Sequence, residues 1–442
     1  MIRYVKLHNY KSLVDLHVDF MKTKTKAKNL ILIYGENGIG KSNFATSFYT
    51  LNETMRTLSS IEMWKKFVED NSEDLKEDNY KDFFETHFRP RFKDTEMIIK
   101  DCKTIGSSDN MILEYGFIYK GKNGVYYIEM NDNEIVSEKL EYVLNKNQTY
   151  YFDIKPNLMK INNNLFKDKD YYNEFYKLLE QYWGKHSFMS ILSYEIEDKK
   201  NGYIKKKISS NLYSILSYLK TMCTKVKGGN HSEFGMMGTQ HQMMGKLDKG
   251  KISVKKEDEL NKIELVLNEF FTTLYSDIKK VYYEREYVEN YIKYNLIIRK
   301  FIYGKMIDID FKLESTGTQN ILDLFPYLIS ACEGQTVIID ELDTGIHDLM
   351  VNSILENISQ FIKGQMIITT HNTMLIESDI PKENIYIFNV NGNAEKELIA
   401  ITDFNGRIHK NINPRKKYLS GVFGGIPMVS DIDFEDIIDN LK

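Results

Sequence analysis

Gly35-Glu36-Asn37-Gly38-Ile39-Gly40-Lys41-Ser42 is the segment that most narrows what this chain can fold into. It fits GxxxxGK(S/T), follows the apolar run NLILIY at 29–34, and opens a helical stretch from Ser42 onward. A buried strand, a tight loop and a helix in that order turn backbone N–H groups and the positive helix end into one concavity. Lys41 then neutralises phosphate charge, and the Ser42 hydroxyl is placed to reach Mg²⁺. Gly35, Asn37, Gly38, Gly40, Lys41, Ser42 and Asn43 are the candidate contacts to ATP, with Mg²⁺ as the accompanying ion.

Residues 336–341 (TVIIDE) pair a strand with two carboxylates at its end. Behind a phosphate loop, the first, Asp340, is expected to serve the magnesium shell. The second, Glu341, is expected to polarise the attacking water as a general base. His371 ends the apolar strand MIITT, one strand further on, where its side chain can reach a γ-phosphate. Ser315-Thr316-Gly317-Thr318-Gln319 reads locally as a capped helix start.

Composition bounds the rest. The 59 Lys and Arg against 63 Asp and Glu leave a net charge of −4, so the chain is not a polycation built to coat nucleic acid. Lys199, Lys200, Lys205, Lys206 and Lys207 form the densest basic cluster, which a solvated hairpin explains. The three cysteines, Cys102, Cys223 and Cys332, lie far apart and exclude a zinc ribbon. His231 and His241 lack ligand spacing for a metal. No apolar run approaches the ~18 residues that span a bilayer, so no membrane contact is expected and a cytoplasmic location is.

The pattern predicts strands at 2–7 and 13–20 with a turn at His8-Asn9, and further strands at 111–119, 125–130 and, edge-like, 134–142. A region at 53–109 reads as helices and loops, 170–219 as mostly helical and 227–251 as a loop. Leu260, Ile263, Leu267, Phe270, Leu274, Ile278 and Val281 recur at spacings of three and four, which predicts one amphipathic helix over 255–286. The expected division is a first head lobe (1–145), a mainly helical insertion (146–290) and a second head lobe with a tail (291–442).

The order of phosphate loop, large insertion, Ser315–Gln319 segment, Asp-Glu pair and histidine resembles the ATPase heads of the ABC and SMC type. IYGENGIGKSN, ESTGTQNIL, IIDELDTGIH, TTHNTMLI and RKKYLSGVFGGIP resemble more closely the AbiL/RloA-like ATPases of bacterial phage defence. The AriA subunit of PARIS systems belongs to the same group. The resemblance covers roughly 1–145 and 290–430. It implies an α/β fold, an ABC/SMC-type P-loop head with a mixed β-sheet plus a largely helical insertion. It also implies a homo-oligomer through ATP-sandwiched heads, and a separate effector of nuclease or toxin type.

Carried over by position, Ser315, Gly317 and Gln319 form a signature that meets the γ-phosphate held by a second copy. Asp343 belongs to the dimer-facing loop, His371 senses the γ-phosphate, and Lys11 lies in an early segment flanking the nucleotide. The glutamine that usually gives a second magnesium contact is unassigned; Gln148 is the nearest candidate. The leading expectation is an ATP-driven switch in antiphage defence. A RecF/SMC-like clamp on duplex DNA is the alternative, so nucleic acid stays among the partners weighed. A nuclease of the OLD type would need a TOPRIM fold. For that, Asp431 and Asp433 are the only tempting match, and the 71 residues after His371 leave no room.

Overall fold

The computed structural model describes residues 1–70, 93–143, 148–199, 202–227, 233–236, 245–392, 395–404, 413–427 and 431–441. β1 (Ile2–Tyr10) and β2 (Leu13–Asp19) form a hairpin, followed by the small hairpin β3 (Met21–Thr23) and β4 (Lys26–Ala27). β5 (Leu30–Tyr34) then delivers the chain to the glycine loop and the helix Lys41–Thr54. Past the helices Thr57–Asp70 and Thr95–Cys102 runs a meander of β6 (Met111–Tyr119), β7 (Lys122–Met130), β8 (Ile135–Val143), β9 (Gln148–Lys155) and β10 (Leu158–Ile161). With β1 and β2 these strands make an antiparallel sheet in the order β10-β9-β8-β7-β6-β1-β2. Helices between Lys169 and Lys220 pack on the same core through Phe175, Leu179, Phe188, Leu212 and Leu216.

β11 (Cys223–Lys227) and β12 (Glu233–Met236) follow, then β13 (Lys249–Ser253), the helix Glu257–Leu274, β14 (Ile278–Val288), β15 (Tyr291–Ile302) and β16 (Lys305–Asp310). The helix Thr316–Cys332 leads to β17 (Thr336–Ile339), and the helix Asp348–Ser359 to β18 (Gln365–Thr369). β19 (Ile385–Val390) and β20 (Lys396–Ala400) complete the strands.

The second large sheet has the order β12-β11-β17-β18-β5-β19-β20, parallel from β11 to β19 and antiparallel at both edges. β5 lies inside it and is buried on both faces, as a short unbroken apolar run requires. Ile31 and Ile33 face the core shared with Phe44 and Phe48 of the loop helix, while Leu30, Leu32 and Tyr34 face the core of the helix Thr316–Cys332. The fold is mixed α/β, with the glycine loop at the end of a parallel strand.

Several expectations need correction. The amphipathic helix stops at Leu274, and Ile278 and Val281 lie on β14. The sequence IKKVYYEREYV alternates with period two and is rich in β-branched and aromatic residues, so the helical spacing beyond Tyr275 was coincidental. β1 continues through His8 and Asn9 to Tyr10, and β8 lies inside its sheet instead of at an edge. Strands occupy 233–236, within the loop expected over 227–251, and 249–253, across its end.

The boundaries expected at 146 and 290 fall between paired strands. β9 and β10 extend the antiparallel sheet across position 146, and the β14–β15 hairpin crosses position 290. Of the lysine cluster, Lys199 pairs with Glu195 and Lys207 with Asp168. Lys200, His231, His241 and residues 71–92 lie outside the described residues. None of the three cysteines is in a disulfide among the described residues, and Cys102 and Cys223 are buried. Among the described residues, no helix is long and apolar enough to cross a membrane.

Candidate functional site

Gly40 caps the loop helix with a φ of 124° and no side-chain hydrogen bond, and the first turn carries no acidic residue. The opening N–H groups thus meet neither a capping oxygen nor a carboxylate, which is the arrangement that takes an anion. Gly38 has φ +77°, and a Cβ added there would meet nothing within 4 Å, so the loop tip is open. Gly35 is closed in instead: a Cβ would come within 2.9 Å of Phe388 Cβ. Asn37 is exposed at the tip, and Ser42 and Asn43 are half-buried in the first helical turn.

Lys41 is 5% exposed, and its Nζ donates to Gly35 O (2.7 Å) and Glu36 O (3.0 Å). Burial lowers its pKa, against the opposing pull of Asp340, Glu341, Asp343 and Glu36. Glu36 belongs to the glycine loop itself, and the other three reach the lysine from the loop after β17, which is separated from β5 by β18 alone. Asp340, buried at the end of β17, accepts from Thr369 Oγ1 at 2.6 Å. The same Thr369 oxygen accepts from the Glu341 N–H at 2.7 Å.

Glu341 has φ +49°, a left-handed conformation that a side chain of this kind adopts only under constraint. The bend turns the chain out of β17, and Thr344 Oγ1 donates to Glu341 Oε2 at 3.2 Å. Asp343 Oδ2 accepts from the His371 N–H at 3.1 Å, tying the loop after β17 to the end of β18. The His371 imidazole is held below its ordinary pKa by burial and by the charge of Lys41, with Asp343, Glu341 and Asp340 opposing. Lys41, Asp340, Glu341, Asp343 and His371 therefore form one electrostatic cluster at the glycine loop.

Ser315 caps the helix Thr316–Cys332, its Oγ accepting from the Thr318 N–H at 3.2 Å. Gln319 Nε2 donates to Lys312 O and Glu314 O, so this side chain braces the turn before the helix. Gly317 abuts the loop after Asp343: an added Cβ would stand 2.8 Å from Gly345 O. Asn320 Nδ2 donates to Thr344 O in that loop. Ser315 and Thr316 are exposed, and the structure records no bond from this segment to the glycine loop of its own chain.

Lys11 sits in the β1–β2 turn with φ +49°, its backbone bonded to Cys102 O, and its charge acts on Cys102 and Glu53. It is Ser12 that bonds to the loop helix, through Asn43 Nδ2 at 2.7 Å. Gln148 is distant from the site by topology, on β9, where its Nε2 donates to Glu141 Oε2. Sequence reasoning missed Thr369, although a hydroxyl ending the strand before His371 was a usable signal. It also gave no site role to the tail segment RKKYLSGVFGGIP: a Cβ on Gly425 would lie 3.4 Å from Gly35 Cα, so this turn packs behind the loop.

Mg²⁺ prefers hard oxygen donors and is commonly held by one or two carboxylates, a hydroxyl and phosphate oxygens. Ser42 and Asp340 fit that donor set. Among the described residues, no group of three or more His, Cys, Asp or Glu could hold a metal ion.

Residues 240–377 match a family model described as "AAA domain, putative AbiEii toxin, Type IV TA system". No curated protein matches the chain. Among solved structures, an SMC head domain from Thermotoga maritima aligns at 14% identity and a TM-score of 0.38, over 90% of this chain and 98% of that one. An SmcHead bound to the C-winged helix domain of ScpA aligns at 13% and 0.43, over 90% and 97%. An Smc head domain with an extended coiled coil, bound to the C-terminal domain of ScpA derived from Pyrococcus furiosus, aligns at 11% and 0.35, over 90% and 95%.

Proposed function

We propose that this chain binds Mg·ATP at the glycine loop, hydrolyses it, and uses the cycle as a switch on a separate effector in antiphage defence. The observation that carries the reading is the cluster of Lys41, Asp340, Glu341, Asp343 and His371 around an uncapped helix N-terminus. Such a set separates binding from chemistry. Lys41 and the loop N–H groups hold phosphate charge, and Ser42 and Asp340 hold the Mg²⁺, which supplies further charge neutralisation when bound. Glu341 accepts a proton from the attacking water, and Thr369 fixes the Asp340 carboxylate and the Glu341 backbone. His371 would donate to the terminal phosphate.

The defence role is supported by the family match over 240–377, whose description names a "putative AbiEii toxin, Type IV TA system", and by the AbiL/RloA-like motifs. A second copy would bring Ser315, Gly317 and Gln319 to the terminal phosphate, making a homo-oligomer through sandwiched ATP. A separate effector protein is the expected partner. The DNA-clamp alternative is weakened by the pairing of Lys199 and Lys207 with carboxylates.

The deciding experiment compares Lys41→Ala and Glu341→Gln for nucleotide binding and turnover. Lys41→Ala should lose binding; Glu341→Gln should keep binding and lose hydrolysis. Equal turnover by wild type and Glu341→Gln would defeat the assignment. Co-purification from the native locus with and without ATP tests the effector: recovery of no protein partner in either state would remove the switch.

A further inference from the structure

The sheet order puts the carboxylate cluster on one side of the glycine loop. Asp340 and His371 follow β17 and β18, while the other flank of β5 belongs to β19 and β20. On that second flank Lys396 of β20 donates from Nζ to Ser12 Oγ at 2.8 Å. The same oxygen accepts from Asn43 Nδ2, in the first turn of the loop helix. A Cβ on Gly40 would stand 3.6 Å from Ser12 Oγ and 3.7 Å from Lys396 Cδ, so both side chains border the helix cap itself.

Lys396 is half-buried and, among the described residues, forms no ion pair. Burial lowers its pKa with no carboxylate acting against it, whereas Lys28 has Asp403, Glu383 and Asp19 in opposition and Lys41 has Asp340 first. An ammonium partly withdrawn from water, with a hydroxyl as its bonded partner, retains donors suited to an anion. Ser12 points the same way. A hydroxyl has one donor and two acceptor positions, and both acceptors are taken by Lys396 and Asn43, which leaves the O–H to donate.

The position along the ligand follows from the flanks. The terminal phosphate belongs beside Asp340 and Glu341, so a cation on the opposite flank meets the nucleotide nearer its nucleoside. We propose that Lys396, with Ser12 and Asn43, forms the subsite for the nucleoside-proximal phosphate, gripping nucleoside di- and triphosphates alike. The inference rests on the ATP reading of the glycine loop given above and adds Lys396 and Ser12 to the motif residue Asn43.

The test measures equilibrium binding of Mg·ADP and Mg·ATP to the full chain as wild type, Lys41→Ala, Lys396→Ala and Lys396→Arg, with a melting curve for each. Lys396→Ala should weaken ADP and ATP by the same factor, about tenfold, with unchanged melting, and Lys396→Arg should recover most of the loss. Unchanged ADP affinity in Lys396→Ala overturns the subsite, and so does a loss confined to ATP, which would move the lysine to the terminal phosphate. A loss accompanied by lower melting and no recovery in Lys396→Arg makes the residue structural and also overturns it. If wild type binds neither nucleotide, the ATP reading itself falls, an outcome separate from any effect at Lys396.

Discussion

Thr369 Oγ1 donates to Asp340 Oδ1 at 2.6 Å, so a hydroxyl ending one strand fixes the carboxylate ending its neighbour. Because the oxygen also accepts from the Glu341 N–H, one side chain sets two positions, including a residue in a left-handed conformation. Thr369→Val keeps the shape and removes both bonds. Turnover should fall by about 10–100-fold, with nucleotide binding largely kept, and Thr369→Ser should restore it. Normal turnover in Thr369→Val would show that the β17 end holds its shape unaided.

His371 gives a prediction in pH. Burial, then the Lys41 charge, holds its pKa below the ordinary 6.5, so the folded protein carries a neutral imidazole near neutrality. Neutral imidazole presents one donor and one acceptor, and protonation would add a second donor and a charge beside Lys41. The sign is that of a depressed base: the neutral state is secure above 6.5 and is lost as pH falls below it. The acid limb of hydrolysis attributable to His371 should therefore lie below pH 6.5 and disappear in His371→Gln at its lower residual rate. An acid limb above 6.5 that vanishes in that variant would contradict the assignment.

Much of this site was legible because its chemistry depends on residues close in sequence. The glycine loop, the Asp340-Glu341 pair and His371 each follow a short apolar strand, and parallel neighbours bring strand ends together. What was not legible depends on pairing between distant segments. Ser12 and Lys396 are separated by nearly the whole chain and meet because β2 and β20 lie against each other. Gly425 approaches Gly35 through three tail glycines with positive φ, a backbone feature that periodicity does not encode. The helix reading over 255–286 failed for a related reason, since β14 is specified by its partner β15.

Glu138 should make stability pH-dependent. It is fully buried on β8 and accepts from Tyr126 Oη, Trp183 Nε1 and the Phe188 N–H, joining the antiparallel sheet to the helix Phe188–Asp198. Burial raises its pKa from 4.5 to about 7, with those donors opposing. A raised acid contributes its stability below the unfolded value and loses it as pH rises through the folded one. Glu138 should thus lower unfolding free energy on the order of 1–3 kcal/mol between pH 4.5 and 7. Glu53, also raised to about 7, adds to the same slope. Denaturant titrations of Glu138→Gln should show a shallower decline over that window from a lower starting stability. An unchanged slope would mean that the hydrogen bonds outweigh burial.

The last prediction concerns the second copy, and the geometry of Gly317 changes how it must be tested. A side chain at Gly317 would collide with Gly345 O in the same chain, so Gly317→Asp disturbs the Asp343 loop whether or not a partner is present. Ser315 is the cleaner probe because it is exposed and its own bonds are confined to the cap of its helix. Ser315→Arg gives up a cap bond, about 1 kcal/mol, and places a bulky cation on the face expected to receive the partner's nucleotide. ATP binding in cis should stay within about threefold of wild type, because the glycine loop is untouched, and a shift of that size is at most about 0.7 kcal/mol. Hydrolysis should fall at least about tenfold. In sedimentation with ATP, Glu341→Gln should run as a pair of heads, and Ser315→Arg combined with Glu341→Gln as single heads. A constitutive contact elsewhere would hide the size change but would leave the loss of turnover visible. Ser315→Arg with normal turnover would leave the segment as a helix cap alone, and the sandwich of two heads would have to be abandoned.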